Sequence, residues 1–164
     1  MNRYQVSEHF HLDEFVDLYT YNYYAQKGTL HRLASKFSNT IEMAENVRVL
    51  MDEPAVINNW WKTFAANDFD VRDTNRAVES SSSLRQWSGY RAPNTPYYSK
   101  DSQHSVFNAV DMIFTSNGWL EKARTIVRGN WEELGIRAME VGNSWLHIDT
   151  RFIYDQTHLF EFNP

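Results

Sequence analysis

RAMEVGNSWLHIDTRFI, residues 137–153, contains two short runs of alternating apolar and polar residues around Gly142-Asn143. Side chains of a strand alternate between its faces, and Gly-Asn between two such runs is a hairpin signal. The expected hairpin joins 137–141 to 144–153, with Val141 opposite Ser144, Glu140 opposite Trp145 and Ala138 opposite His147. Trp145, His147 and Asp149 then point to one face. Glu140 joins that face diagonal to His147, at the roughly 7–8 Å of a diagonal cross-strand pair. Upstream, AVDMIF (109–114) reads as a central strand with Ala109, Asp111 and Ile113 on one side.

Towards the N-terminus the apolar spacing changes from two to that of a helix. Leu12, Phe15, Val16, Tyr19 and Tyr23 predict a helix ending before Gly28. Thr29 is placed to cap a second, with Leu30, Leu33, Phe37, Ile41, Ala44, Val47 and Met51 as its stripe and Pro54 at its end. Residues 55–61 (AVINNWW) predict a strand. The polar stretch 67–83 predicts a loop or short surface helix, and 88–105, rich in Ser, Pro and Asn, an ordered irregular loop. A further helix is expected over 119–134, with Leu120, Ala123, Ile126 and Val127 on one side. Helices come first and strands mostly follow. The expected class is therefore α+β, a small central antiparallel sheet with helices packed against it, in one domain spanning 1–164.

Composition limits what such a domain does. With 42% apolar and 23% charged residues it reads as an ordinary globule. A net charge of −5 lacks the basic stripe that a nucleic-acid partner requires. Aromatics, 15% of the chain, fill cores and also line clefts that grip sugars and peptides. No apolar run approaches the roughly 20 residues needed to span a bilayer. The opening MNRYQVSEHFHLDEF lacks the basic-then-apolar pattern of a signal peptide, so a target outside the cytoplasm implies delivery by other means. With no cysteine, thiolate chemistry and Cys-type zinc sites are excluded, and a metal site must use His, Asp and Glu.

Of the six histidines, His9, His11, His31 and His158 read as solvated or capping residues. His104 and His147 differ in their neighbours. Asp111 follows His104 by seven residues, amid Val110, Met112 and Ile113, where a carboxylate is costly unless paired or bound to metal. On the residues alone two readings stand. In one, Asp111 points outward from a half-exposed strand. In the other, His104, Asp111 and His147 surround a metal ion with a fourth position open to water, the composition of catalytic zinc sites. Such a site lowers the pKa of its water towards about 7, and a nearby carboxylate, here Glu140, takes the proton. A hydrolase without metal finds less support, since no G-x-S-x-G elbow or paired glycosidase signature is evident.

Read together, Ser88-Gly89-Tyr90-Arg91, Ser102-Gln103-His104, Asn108-Ala109-Val110-Asp111 and Trp145-Leu146-His147-Ile148-Asp149 resemble the zinc D-Ala-D-Ala carboxypeptidase and L-alanyl-D-glutamate peptidase family, above all its phage endolysin-like branch. Phe10–Phe15 and Ile57-Asn-Asn-Trp60 are similar to that family as well, so the resemblance covers nearly the whole chain. It implies a Hedgehog/DD-peptidase-like fold and one zinc ion on His104, Asp111 and His147. It implies Glu140 as general base, and Arg91 holding the substrate carbonyl or carboxylate and the developing oxyanion, a task that suits a permanently charged fork of donors. Ser102, Asp149 and Tyr90 are assigned to the surroundings of the ligands or to substrate. The implied substrate is the stem peptide of bacterial peptidoglycan. The implied setting is a phage lysis or virion-associated protein, made in the host cytoplasm or carried in the virion and acting on the cell wall with other phage proteins as partners. The alternative is a catalytically silent, zinc-bearing structural or binding domain of a phage particle. One residue departs from the pattern: three positions after His104 the family has Gly and this chain has Phe107, which puts the shape of the cleft in question.

Overall fold

The computed structural model describes residues 3–58, 87–95, 97–114 and 117–164. Chain order runs from helices α1 (Leu18–Gln26), α2 (Leu30–Ala34) and α3 (Ser38–Met51) to strands β1 (Ala55–Val56) and β2 (Ala109–Phe114), helix α4 (Asn117–Asn130), and strands β3 (Ala138–Glu140), β4 (Leu146–Asp149) and β5 (Phe160–Phe162). The class is α+β. The sheet has five strands in the order β1-β2-β4-β3-β5. All pairings are antiparallel except the last, where β5 runs parallel to β3, so the sheet is mixed rather than wholly antiparallel.

The two faces of the sheet have different chemistry. Val110, Met112, Met139, Leu146 and Ile148 are fully buried in the core, against which α3 and α4 pack. The intervening residues Asp111, Glu140, His147 and Asp149 fall on the other face by strand alternation.

Several expected boundaries shift. The spacing read as one helix from Leu12 divides into a 3-10 turn, Leu12–Glu14, and α1, because Asp17 caps α1 through the Thr20 amide (3.0 Å) and hydroxyl (2.6 Å). The second expected helix is interrupted by a 3-10 turn at Ser35–Phe37, although its stripe from Leu33 to Met51 is buried as anticipated. Thr29 stands at the cap position of α2, but its hydroxyl donates to the Tyr24 carbonyl (3.4 Å) instead of capping. Left-handed Asp52 (φ 51°) ends α3 before Pro54 is reached. Helix α4 stops at Asn130 rather than Leu134. The strand expected over 55–61 pairs at Ala55 and Val56; its last residues, Trp60 of the family resemblance and the 67–83 segment lie outside the described residues.

The hairpin register also moves. Glu140 pairs with His147, Met139 with Ile148 and Ala138 with Asp149, and a five-residue loop replaces the two-residue turn. A tight type I′ turn needs positive φ at both central residues. Gly142 has it (φ 84°) and Asn143 does not. Buried Arg124 of α4 instead holds the loop open, donating to the Asn143 carbonyl (2.8 Å), the Asn143 side-chain oxygen (2.7 Å) and the Trp145 carbonyl (3.3 Å). The slip is an even number of residues, so the side chains that remain in the paired strands keep their expected face, while Val141, Ser144 and Trp145 pass into the loop. Glu140 becomes the direct neighbour of His147 rather than its diagonal one.

Candidate metal centre

Asp111 of β2, His147 of β4 and Glu140 of β3 form one row across the sheet, each directly paired with the next, and Phe162 of β5 extends it. His104 reaches the row from a 3-10 turn, Gln103–Val106, whose start is capped by Ser102 Oγ accepting from the His104 amide (3.3 Å). The Ser88–Arg91 segment ties turn and sheet together. The Ser88 carbonyl accepts from the Asp111 amide (2.7 Å), the Arg91 amide donates to the His104 carbonyl (3.2 Å), and the Tyr90 amide donates to the Phe15 carbonyl (2.7 Å). Gly89 is required at its place, because an added Cβ would lie 2.1 Å from the Phe15 carbonyl oxygen. Buried Asn58 anchors the same segment, accepting from the Ser88 amide (3.0 Å) and donating to the Val16 carbonyl (3.1 Å).

Three ligand atoms converge. His104 Nε2 lies 3.2 Å from His147 Nδ1 and 3.3 Å from Asp111 Oδ1, and His147 Nδ1 lies 2.8 Å from Asp111 Oδ1. A tetrahedral ion with bonds of about 2.0–2.1 Å sets its ligands about 3.3 Å apart, so the spacing fits a metal ion. The other nitrogen of each imidazole is occupied, which leaves the inward-facing nitrogen to offer a lone pair to an ion once its proton is displaced. His104 Nδ1 meets the Gly89 carbonyl at 2.7 Å, and His147 Nε2 meets Asp149 Oδ2 at 3.3 Å. Such partners fix tautomer and ring orientation. His104, Asp111 and His147 are therefore a buried group able to hold a metal ion.

The electrostatics point the same way. Burial opposes charge on Asp111, but the hydrogen bonds and charges of His104 and His147 prevail and hold its carboxyl well below the usual range. Burial also opposes the His147 cation, yet hydrogen bonds to Asp111 and Asp149 push it up to about 9. Asp149 is lowered too, its burial outweighed by hydrogen bonds from His147 and Arg151. The group thus favours positive charge at its centre, and a proton and a metal ion compete for it.

Glu140 Oε2 stands 4.0 Å from His147 Nδ1. Arg91 is close but partly engaged: Nη2 donates to Asp111 Oδ2 (3.1 Å) and Nε to the Trp87 carbonyl (2.9 Å). A guanidinium has five N–H groups, so donors remain for a further oxygen. Tyr90 lies apart from the ligand atoms in role, its ring stacked on Phe107 at 4.1 Å. Phe107 has φ 66° and ψ 20°, the left-handed conformation that glycine adopts most readily. Phe107 thus combines a backbone that suits glycine with a large ring.

His31 and His158 are exposed, as expected. His9 Nδ1 pairs with Glu45 Oε1 at 2.6 Å, beside Glu8 on the surface, and His11 is half-buried near Glu14. Three contributors were not singled out from sequence: the Gly89 carbonyl, Phe162, whose ring stands edge-on to His147 at 5.8 Å, and Arg151. Arg151 had a readable signal, since Asp149-Thr150-Arg151 spaces opposite charges two apart at the end of a strand. Among the described residues no helix is long and apolar enough to cross a membrane. No family model, curated protein or solved structure matches this chain.

Proposed function

We propose that this protein is a zinc peptidase that hydrolyses stem-peptide bonds of bacterial peptidoglycan. The observation that carries the reading is the meeting of His104 Nε2, Asp111 Oδ1 and His147 Nδ1 with a separate carboxylate, Glu140, 4.0 Å from the last of them. A two-His, one-carboxylate set suits zinc with an open position, and a dication there makes a water molecule acidic near neutral pH. Glu140 accepts the proton of the attacking water and returns it to the leaving amine as the C–N bond breaks. Its freedom supports that role: Asp111 and Asp149 are each bound by an arginine, and among the described residues Glu140 is not. Arg91 directs its remaining N–H groups to the substrate carbonyl oxygen, where negative charge develops. The peptidoglycan assignment and the phage setting, with action on the wall after delivery, rest on the motif resemblance.

Mass spectrometry of purified peptidoglycan digested by the zinc-loaded protein tests the reading. New stem-peptide fragments that disappear with Glu140→Gln support it and identify the bond. The second reading, a zinc-bearing domain of a phage particle that no longer cuts, is favoured by the engagement of Arg91 with Asp111. One bound zinc per chain with no fragments from the parent protein would establish it instead.

A further inference from the structure

Arg151 makes an unusual number of contacts for a half-buried arginine next to a sheet. Nε donates to both oxygens of Asp149, Oδ1 at 2.9 Å and Oδ2 at 3.0 Å, and Nη2 donates to Oδ2 at 2.5 Å. The Arg151 amide adds a fourth bond to Oδ1 at 3.0 Å. Asp149 is fully buried, and its Oδ2 is the atom that faces His147 Nε2. On its other side the guanidinium carbon lies 4.5 Å from the centre of the Phe162 ring, the ring that stands edge-on to His147 with an interplanar angle of 85°. Two of the groups that touch the His147 imidazole, the Asp149 carboxylate and the Phe162 ring, are thus both held by one side chain.

We propose that Arg151 is a positioning residue of the metal centre, fixing the His147 ring through Asp149 and Phe162 so that Nδ1 points at the ion. This rests on reading His104, Asp111 and His147 as a metal centre, and it does not depend on which substrate is cut. Arg91 serves Asp111 in parallel fashion, so the two carboxylates hydrogen-bonded to the His147 imidazole each have their own guanidinium. Partners of this kind typically change metal affinity by about 10–100-fold when removed. A guanidinium suits the task because its planar fork restrains the carboxylate in direction as well as in charge, which an ammonium does not.

The test compares the parent protein, Arg151→Gln and Arg151→Lys. Zinc affinity is measured by competition with a chromophoric chelator, and the visible spectrum of the Co2+-substituted protein reports ligand geometry. Zinc binding is expected to weaken by about tenfold or more in Arg151→Gln, with an altered cobalt spectrum. Arg151→Lys should fall between the two. In an Asp149→Asn background, Arg151→Gln should cost less than in the parent, because the Asp149 part of its action is already lost. Parent-like affinity and cobalt spectrum in Arg151→Gln overturn the proposal, as does an undiminished effect in the Asp149→Asn background. If Arg151→Gln does not fold, Arg151→Lys decides alone, and parent-like values in it count against the role of the fork. A parent protein that takes up no zinc refutes the metal centre itself, an outcome distinct from a parent that binds zinc indifferently to Arg151.

Discussion

Replacing Phe107 sets backbone strain against side-chain packing, and two substitutions separate them. The left-handed conformation of Phe107, φ 66° and ψ 20°, costs an L-residue other than glycine roughly 1–2 kcal/mol. The ring compensates. It stacks on Tyr90 at 4.1 Å and 10°, and meets Phe37 edge-on at 4.9 Å and 88°. Aromatic pairs contribute about 0.5–1.5 kcal/mol each beyond the area they bury, and partial burial of the ring adds about 1 kcal/mol. The backbone carbonyl, which accepts from Thr40 Oγ1 at 2.7 Å, is unaffected by either substitution. Phe107→Ala loses the packing and keeps the strain, so it should destabilise by roughly 2–4 kcal/mol. Phe107→Gly loses the same packing and relieves the strain, so it should be the more stable of the two by about 1 kcal/mol. That order is the reverse of the one in a helix or strand interior, where Gly is the worse residue. Urea unfolding followed by fluorescence of the six Trp gives both values, with equal slopes required for the comparison. An Ala variant as stable as the Gly variant would refute the claim that position 107 needs a left-handed backbone.

Gly89→Ala should destabilise by more than about 2 kcal/mol, because the new methyl meets the Phe15 carbonyl group, which belongs to backbone and cannot swing away. Thermal melting checks this, and weaker zinc binding should accompany it, since the Gly89 carbonyl orients His104. A pH effect is expected at Glu14, whose carboxyl burial pushes up to about 7 against the opposing His11 amide and Arg3. The folded state holds that proton more tightly than the unfolded chain, so this contribution is full below about pH 4.5 and is lost as pH rises through 7, by up to about 3 kcal/mol. Glu14→Gln should therefore gain stability relative to the parent between pH 5 and pH 8, and an equal urea midpoint difference at both values would show that Glu14 does not titrate in this way.

Alternation made much of the site readable in advance. Alternation within 109–114 puts Asp111 on one side of its strand, and alternation within 144–149 puts His147 and Asp149 on one side of theirs; the pairing of Asp111 with His147 brings these sides together. Parity protected the assignment of Glu140, even though its pairing partner changed. The change itself was beyond local reasoning, because it depends on Arg124, a residue of a separate helix that captures the Asn143 and Trp145 oxygens. Strand β5 was missed for a related reason. Three residues carry almost no periodic signal, and its partner β3 lies some twenty positions upstream, in a parallel pairing that no turn announces. The break before α1 was legible in principle: Asp17 followed by Thr20 is a capping pair, and the apolar spacing that runs through it hid it.

The distance along the chain between the two histidines has a mechanical meaning. His104 and His147 are 43 positions apart, and one ion held by both would tie the Gln103–Val106 turn to strand β4. In a chain without cysteine this is a cross-link of another kind, closing a loop that would otherwise be free in the unfolded state. Closure of a loop of that length by a covalent bridge is associated with about 4 kcal/mol. The ion would act as a removable staple, so that resistance to unfolding and to proteolysis follows the concentration of free metal. The same three side chains would then set both the chemistry of the domain and the conditions under which it stays folded.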